Sequence, residues 1–297
     1  MWLKIALRGL WVRIARRIGH PVSSARLPRP KMARRGARMR LSHVLVASDL
    51  NPRYLESWPL VSRGWEEVAG LEPILVLVAP APEVPSNLAQ DPRVRVVDPL
   101  PEVHTAFQAQ CIRLLYPALI EAPGAVLISD MELVPLDPAY FHRTVAGVDE
   151  RFFAAYRGEV LFDRHEISIP YNAARPTTWA EIFRIDGVSE VKERLAAWAA
   201  TVDYSGSRGG PGWYTDQLML YETLIPWGER TARLWLMDDQ FTGYSRLERD
   251  VLMRAGRLPD ECRRRIRRRR YTDFDSCVPH RDFAALNEAV LELALDR

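Results

Sequence analysis

Short apolar segments alternate with longer segments of helical periodicity between residues 41 and 130, and this alternation restricts the possible folds more than any other feature of the chain. Four strands are predicted, at residues 42–48, 74–79, 94–97 and 125–129. Helices are predicted in the same region at residues 54–69 and 105–120. Alternation of strands and helices at this spacing is typical of an α/β sheet covered on both faces, so we predict that fold class.

Two of the predicted strands end at an aspartate, Asp49 after the first strand and Asp130 after the fourth. In open α/β sheets, ligands bind outside the carboxyl ends of the strands. Glu132 lies two residues beyond Asp130, and a pair of carboxylates on one turn suits Mg²⁺ or Mn²⁺, which take their other ligands from water and phosphate. The alternative is a structural one, in which Asp130 caps the following turn and Glu132 is solvated.

The second half of the chain is less regular. It contains predicted helices at residues 189–202 and 213–224, separated by a glycine-rich loop at residues 205–212. Apolar residues make up 47% of the chain, which is enough to build a core over most of its length. We therefore predict a single domain from residue 41 to residue 297, preceded by an arm and linker at residues 1–40.

Basic side chains are concentrated in two segments. Residues 1–40 carry 12 Lys and Arg, and no acidic residue precedes Asp49. Seven of the eight residues from 263 to 270 are arginines. The rest of the chain has an excess of acidic residues, so the formal net charge of +3 conceals an acidic body with two basic patches.

Residues 2–18 have the periodicity of an amphipathic helix, with apolar side chains on one arc and basic side chains on the rest. This pattern is typical of peripheral contact with an anionic membrane. Two other interpretations stay open: an organelle-targeting peptide, or a translation start at Met32 or Met39. The predicted location is cytoplasmic or at the membrane periphery.

For the arginine-rich run at residues 263–270, nucleic acid, anionic lipid and a charged acceptor are the partners to consider. The alternative is a solvated helix face. No recognisable nucleic-acid-binding module accompanies the run, so nucleic acid is not favoured. The three cysteines form no Cys-x-x-Cys pair, which fits a reducing compartment, and no apolar run reaches the length of a membrane span.

Several motifs resemble those of glycosyltransferases with the GT-A fold. The segment VLISDMELVPLD at residues 126–137 resembles their Asp-x-Asp element, with Glu132 in place of the second aspartate. Four further segments resemble other landmarks of such proteins: SDLNPRYL at 48–55, TAFQAQCIRLLYP at 105–117, PYNAA at 170–174 and WYTDQ at 213–217. The resemblance covers residues 43–285 and implies a GT-A-like, Rossmann-type mixed sheet flanked by helices, with an irregular C-terminal half on the acceptor side.

The resemblance also implies metal-dependent transfer of a sugar from a nucleotide-diphosphate sugar to a surface-glycan, polysaccharide or lipid-linked acceptor. By matched position, Asp130 and Glu132 would contact Mn²⁺ or Mg²⁺ and the diphosphate. Asp49 would contact the base or ribose of the nucleotide. Glutamate keeps the charge and the oxygen ligands of the usual aspartate but adds a methylene, so contact of Glu132 with the metal could be direct or through water.

Three further residues each have two interpretations. Arg113 is placed to reach a phosphate, or to form a salt bridge with a sheet-end carboxylate such as Asp130. Asp216 is the candidate catalytic base for the acceptor hydroxyl, or an aspartate that favours the dipole of its helix. His280 is a candidate ligand of the metal or the diphosphate, or an ordinary hydrogen-bonded histidine.

Other functions compete with sugar transfer. A nucleotidyltransferase would share the sheet and the carboxylates, but a glycine-rich loop usually follows its first strand, and the segment after Asp49 here has no glycine. A catalytically inactive glycosyltransferase-like protein, acting as a glycan-binding or scaffold subunit, stays possible because Glu132 departs from the family pattern. A nucleic-acid-binding protein built around the arginine runs is the third alternative.

Overall fold

Ten strands in two sheets organise the part of the chain that the computed structural model describes, residues 37–296. The strands are β1 (Leu41–Asp49), β2 (Glu72–Val78), β3 (Val94–Val97), β4 (Ala125–Ile128), β5 (Leu133–Pro135), β6 (Phe153–Ala155), β7 (Asn172–Ala174), β8 (Leu234–Leu236), β9 (Arg246–Leu247) and β10 (Asp273–Asp275). The first four confirm the predicted strands, with ends that differ by at most two residues.

Twelve α-helices occur in the same described part. They are α1 (Pro52–Leu55), α2 (Trp58–Arg63), α3 (Ser86–Ala89), α4 (Thr105–Leu115), α5 (Pro138–Val145), α6 (Pro176–Phe183), α7 (Val188–Ala199), α8 (Thr215–Thr231), α9 (Asp239–Thr242), α10 (Arg249–Ala255), α11 (Asp260–Arg267) and α12 (His280–Leu295). A π-helical turn, Gly64–Val68, follows α2, and 3₁₀ turns occur at Ala81–Glu83, Tyr116–Leu119 and Phe162–Arg164.

The larger sheet has seven strands in the order β3-β2-β1-β4-β7-β6-β8. Strand β1 lies at its centre and pairs in parallel with β2 and β4. Strand β7 is antiparallel to both β4 and β6, and β8 is parallel to β6. The predicted α/β class, a Rossmann-type mixed sheet flanked by helices, is confirmed.

Both faces of the sheet are covered, and alternate residues of β1 belong to different cores. Val44 and Val46 pack in one core together with Trp65, while Leu45 packs in the other core together with Trp179. Side chains of a strand point alternately to its two faces, so a strand covered on both faces is apolar at every position. This explains the uninterrupted apolar runs in the sequence.

A second sheet of three strands, β5-β10-β9, lies where the chain leaves the end of β4. Strand β10 is antiparallel to β5, so Asp275 lies opposite Leu133. Asp273 of β10 is fully buried and accepts hydrogen bonds from the hydroxyls of Tyr171 and Tyr244 and from the guanidinium of Arg246. Because Tyr171 directly precedes β7, this network joins the small sheet to the large one.

Proline explains two differences from the predicted helices. The single helix predicted at residues 54–69 is instead α1, α2 and the π-helical turn, with Pro52 and Pro59 in the first turns of the two separate helices. The helix predicted at 105–120 ends at Leu115 and continues as a 3₁₀ turn that contains Pro117. Proline lacks the N–H that a helix interior needs but is tolerated in a first turn.

Helix α8 differs in the opposite direction, because it extends to Thr231, seven residues past the predicted end at residue 224, although Pro226 lies inside it. Leu224, Ile225 and Trp227 around this proline are buried. Burial of these large side chains offsets the cost of the hydrogen bond that Pro226 cannot make.

Residues 37–40, which the sequence analysis assigned to the linker, contact the body of the protein. The side chain of Met39 is buried, and its N–H donates to the carbonyl of Val148 at 2.7 Å. Residues 1–36, which include the predicted amphipathic helix at 2–18, lie outside the described residues. Between residues 37 and 296, no helix has the length and apolar character needed to cross a bilayer.

Gly64 allows β5 to pack closely on the π-helical turn, and its replacement should destabilise the protein. A Cβ atom on Gly64 would lie 2.6 Å from Cγ1 of Val134. We expect Gly64→Ala to lower the free energy of unfolding by about 1–3 kcal/mol through overpacking. Urea denaturation measures this change.

The same experiment on Val134→Ala and on the double variant tests the cause. If the contact with Val134 is responsible, the double variant should be more stable than the sum of the two single changes by about 0.5 kcal/mol or more. Additive effects would show that Gly64 has another role.

Candidate functional site

Asp49 and Asp130 lie at the same edge of the large sheet, as the sequence analysis predicted. Asp49 is the last residue of β1, and Asp130 follows the end of β4 by two residues. The two strands are parallel neighbours, with Leu45 opposite Ile128. Their carboxyl ends therefore bring both aspartates to the edge where α/β sheets bind ligands.

Both carboxylate oxygens of Asp49 have partners. Oδ2 accepts a hydrogen bond from the hydroxyl of Thr105 at 2.9 Å, and Oδ1 accepts from the N–H of Asn51 at 3.1 Å. Thr105 is the first residue of α4, so this contact fixes the start of α4 against the end of β1. The orientation of Asp49 is thereby set before any ligand arrives.

Arg113, on the last turn of α4, joins two carboxylates that are far apart in the sequence. Its Nη1 forms an ion pair with Asp130, and its Nη2 donates to Oδ2 of Asp216 at 2.7 Å. Asp216 is the second residue of α8, and its side chain is 3% exposed. The salt bridge considered for Arg113 is therefore present, and it also holds the candidate catalytic base.

Burial and neighbouring charges shift the pKa values of Asp216 and Arg113. Burial raises the pKa of Asp216 above its usual value, while the charge of Arg113 and its hydrogen bond lower it, and the nearby charge of Asp130 raises it further. Burial lowers the pKa of Arg113, but the two carboxylates outweigh that effect and hold it above the usual value. Arg113 therefore stays charged, and the two aspartates share one positive charge.

Glu132 belongs to a second group of the same kind. Arg249, the first residue of α10, donates through Nη2 to Oε1 of Glu132 at 3.1 Å and through Nε to Asp275 at 2.6 Å. Burial raises the pKa of Glu132, the charge of Asp130 raises it too, and Arg249 opposes both. Glu132 is thus held in an ion pair, and the alternative of a solvated Glu132 is wrong.

The two groups carry more negative than positive charge. Together they contain four carboxylates, those of Asp130, Asp216, Glu132 and Asp275, and two guanidiniums. With all of them ionised, the excess is two negative charges, and the raised pKa values of Asp216 and Glu132 reflect that excess as well as burial. A diphosphate can approach such a place only if a cation accompanies it.

The three predicted metal ligands are not brought together. Among residues 37–296, no group of three or more His, Cys, Asp or Glu residues is arranged to hold a metal ion. His280 begins α12, and its Nδ1 lies 3.2 Å from the amide nitrogen of Asn287, which is fully buried. His280 is thus a hydrogen-bonded histidine in this structure, and its predicted role at a metal stays a prediction without support from its contacts.

Asp130 and Glu132 alone fit a narrower kind of cation site. Both offer hard oxygen ligands at one turn, next to an excess of negative charge. Mg²⁺ is commonly bound through one or two carboxylates, with water and substrate phosphates as its other ligands. The donor set therefore fits a cation that arrives with a diphosphate, and does not fit a site of three protein ligands.

Two buried polar atoms of the second half of the chain were not predicted from the sequence as part of the site. The hydroxyl of Tyr204 and Oε1 of Gln217 are buried and have no hydrogen-bond partner among the described residues. The ring of Tyr204 packs against Phe107 of α4 and stacks on Trp213, with centroids 5.4 Å and 6.5 Å away. Burial raises the pKa of Tyr204, and the charges of Cys111, Asp49 and Asp216 contribute.

Arg249 and Asp275 were also missed. Glu132 and Arg249 are 117 residues apart, and their segments come together in the small sheet, where β10 pairs with both β5 and β9. Neither residue is part of a recognisable spacing. The one available signal for Tyr204 was its position directly before the glycine-rich loop at residues 205–212.

Comparison with known proteins gives matches only among solved structures. No protein-family model and no curated protein matches the chain. The galactosyltransferase LgtC in complex with donor and acceptor sugar analogs is 12% identical, with a TM-score of 0.43, and the match covers 85% of this chain and 95% of LgtC. The glycosyltransferase GlyE of Streptococcus pneumoniae TIGR4 is 13% identical, with a TM-score of 0.44, and the match covers 87% of this chain and 61% of GlyE.

A third similar structure is the bifunctional glycosyltransferase WbbM. It is 10% identical, with a TM-score of 0.43, and the match covers 86% of this chain and 50% of WbbM. All three are glycosyltransferases, the class that the sequence motifs resemble. At identities and TM-scores this low, the similarity assigns no ligand and no reaction.

Removal of the Arg113 charge should destabilise the protein in a pH-dependent way. In Arg113→Met, Asp130 and Asp216 lose their cation, and a broken buried ion pair costs about 3–5 kcal/mol. A carboxyl group with a raised folded-state pKa stabilises the fold while protonated and loses that contribution as the pH rises through its pKa. The loss in the free energy of unfolding should therefore be larger near about pH 8 than near about pH 5, as measured by urea denaturation.

Arg264→Met is the matched control, because Arg264 pairs with Glu261 and the two side chains are 59% and 62% exposed. Its loss should be about 0–1 kcal/mol, as for other surface pairs. Equal losses in the two variants, or a loss in Arg113→Met that does not change with pH, would contradict the proposed electrostatics.

Proposed function

We propose that this protein transfers a sugar from a nucleotide-diphosphate sugar to a glycan or lipid-linked glycan acceptor. The observation that carries the proposal is the ion-paired group of Asp130, Arg113 and Asp216 at the carboxyl edge of the sheet. It joins the candidate donor-side carboxylate to the candidate acceptor-side carboxylate through one buried guanidinium. The order of the glycosyltransferase-like motifs along the sequence supports the same function.

Asp216 is the proposed catalytic base. Its carboxylate is held at both oxygens, by the N–H of Gln217 at 2.8 Å and by Arg113 at 2.7 Å. The pKa of Asp216 is raised by burial, and a base whose pKa approaches the working pH removes a proton more effectively. Asp216 would accept the proton of the acceptor hydroxyl as that oxygen attacks the donor sugar.

Asp130 and Glu132 are the proposed ligands of Mg²⁺ or Mn²⁺. When bound, such an ion stabilises negative charge on the departing nucleoside diphosphate. The two carboxylates would hold the ion and offset part of its positive charge, and Arg113 and Arg249 hold the carboxylates at the edge of the sheet. Arg113 remains a candidate contact for a donor phosphate, because a guanidinium suits the geometry of a phosphate.

Asp49 is the proposed contact for the base or ribose of the donor nucleotide. It lies at the end of β1, and its carboxylate is already oriented by Thr105 and Asn51. A carboxylate fixed in this way can still accept hydrogen bonds from ribose hydroxyls, since each oxygen has two lone pairs.

One observation favours a second candidate, a glycosyltransferase-like protein that binds sugars without catalysis. Asp130 and Glu132 already have arginine partners, so the carboxylates that would receive a cation are partly neutralised by the protein itself. Such a protein would bind a nucleotide sugar or a glycan but would transfer nothing.

Donor binding can be tested by thermal shift with a panel of nucleotide-diphosphate sugars, with and without Mn²⁺. We expect stabilisation that needs both the nucleotide sugar and the ion, and a ligand at about 100 times its Kd should stabilise by about 2.7 kcal/mol. Asp130→Ala should abolish this effect. Asp186→Ala, at an exposed position, is the matched control and should keep it.

Catalysis is tested separately with Asp216→Asn. This variant should lose sugar transfer by about 100-fold or more, because it lacks the base, yet keep the donor-dependent thermal shift. Transfer would be followed as release of the nucleoside diphosphate in the presence of a glycan acceptor. Loss of donor binding in Asp216→Asn would contradict the role of Asp216 as the base. A wild-type protein that binds the donor but never releases nucleoside diphosphate would favour the second candidate, a sugar-binding protein without catalysis.

A further inference from the structure

The arginine-rich run lies on one helix and the turn that follows it. Helix α11 buries Cys262 and Ile266 against the rest of the protein. The arginines of the run are partly or fully exposed, and those from residue 267 to residue 270 are all exposed. The apolar side of α11 is thus used for packing, and the arginines form a surface.

The arginines of this surface divide into two sets. Arg263 lies 3.9 Å from Asp260, Arg264 pairs with Glu261, and Arg265 packs over the ring of Tyr271 at 4.1 Å. No side-chain partner is found within residues 37–296 for the four arginines at positions 267–270. Within residues 37–296, carboxylates therefore pair only with Arg263 and Arg264 of the run.

Two of the unpaired arginines, Arg269 and Arg270, line a cavity of about 440 Å³ together with Arg143 of α5. Asp137 is the only acidic residue in the lining. Its Oδ1 accepts from the N–H of Ala139 at 3.0 Å, where it caps α5, and its Oδ2 lies 3.8 Å from Arg143. Three guanidiniums and one carboxylate leave the cavity with an excess of two positive charges.

The arrangement is unfavourable for a fold that only has to be stable. Neighbouring like charges repel one another, and a surface without a charged ligand is more stable with mixed charges. Arg269 also has a backbone φ of 50°, in the left-handed region that a side chain with a Cβ atom adopts at a cost. An anion in the cavity would offset both costs.

We propose that the cavity lined by Arg143, Arg269 and Arg270 binds a phosphate group that carries at least two negative charges. Guanidinium groups bind phosphate oxygens through two parallel hydrogen bonds, and several guanidiniums around one cavity match a group with several oxygens. A phosphomonoester headgroup of a lipid and a soluble diphosphate share this chemistry.

The cavity is separate from the candidate functional site. None of its lining residues is Asp49, Arg113, Asp130, Glu132 or Asp216. Strand β5 lies between Glu132 and Asp137, with Glu132 before its start and Asp137 after its end. The proposal therefore does not depend on sugar transfer.

Binding of inorganic pyrophosphate to the full chain, measured by isothermal titration calorimetry at matched ionic strength, tests the proposal. We expect saturable binding that falls about tenfold or more in Arg269→Gln/Arg270→Gln. Arg263→Gln/Arg264→Gln removes the same charge from the paired arginines of the preceding helix, α11, and should change the affinity by less than about threefold. All variants keep the basic residues 1–40, so differences among them report on the cavity.

Arg143→Gln is a second variant on a different helix, and it too should weaken binding by about tenfold. Co-sedimentation with phosphatidylcholine vesicles, with and without phosphatidic acid, identifies the source of the phosphate. A lipid headgroup is supported if the protein binds the vesicles that contain phosphatidic acid and pyrophosphate competes with that binding. The same binding should be lost in Arg269→Gln/Arg270→Gln. Binding of pyrophosphate without vesicle binding supports a soluble phosphate.

Three results would overturn the proposal. The first is the absence of saturable binding both to pyrophosphate and to the phosphatidic acid vesicles. The second is an equal loss of affinity in the two double variants, which would indicate attraction by net charge alone. The third is binding of an oligonucleotide by a protein that binds neither pyrophosphate nor the vesicles, which would make the arginines a nucleic-acid surface. Circular dichroism and the Tm without ligand show that each variant is folded.

Discussion

The guanidinium of Arg113 lies between two carboxylates from distant parts of the chain, and the candidate site depends on that single cation. Asp130 comes from the end of a central strand, and Asp216 from the start of a long helix in the second half. Neither carboxylate has another cation partner within residues 37–296. A buried charge without a partner is strongly unfavourable, so the first and second halves of the fold are joined by electrostatics as well as by packing.

The same arrangement, in which one arginine pairs with two carboxylates, occurs again where Glu132 and Asp275 share Arg249. In each group two carboxylates share one arginine, which leaves negative charge in excess. Such an excess of negative charge favours the approach of a cation. A site with one arginine for each carboxylate would be more stable and would have less affinity for a metal ion.

The first half of the fold could be predicted because its strands are covered on both faces, which leaves uninterrupted apolar runs such as 74–79. Strands β5 to β10 are two or three residues long, too short for a periodic pattern, and their positions depend on pairing with distant segments. Asp49 and Asp130 could be predicted as candidate site residues because each directly follows a predicted strand, and parallel neighbouring strands end at the same edge of a sheet. Arg249 and Asp275 were not found, because their segments meet that of Glu132 in the small sheet, through the pairing of β10 with both β5 and β9.

That pairing also has a consequence for the order in which the chain can fold. During synthesis, the central strand β1 and its partners β2 and β4 are complete long before β10 and α12 exist. Arg63 of α2 forms ion pairs with Glu288 and Glu292 of α12, across separations of 225 and 229 residues. The surface of α2 and of the π-helical turn that packs against α12 therefore stays uncovered until α12 emerges from the ribosome, and contacts over such distances close slowly. A chaperone that binds exposed apolar surface would have to stay bound to that face for the longest time.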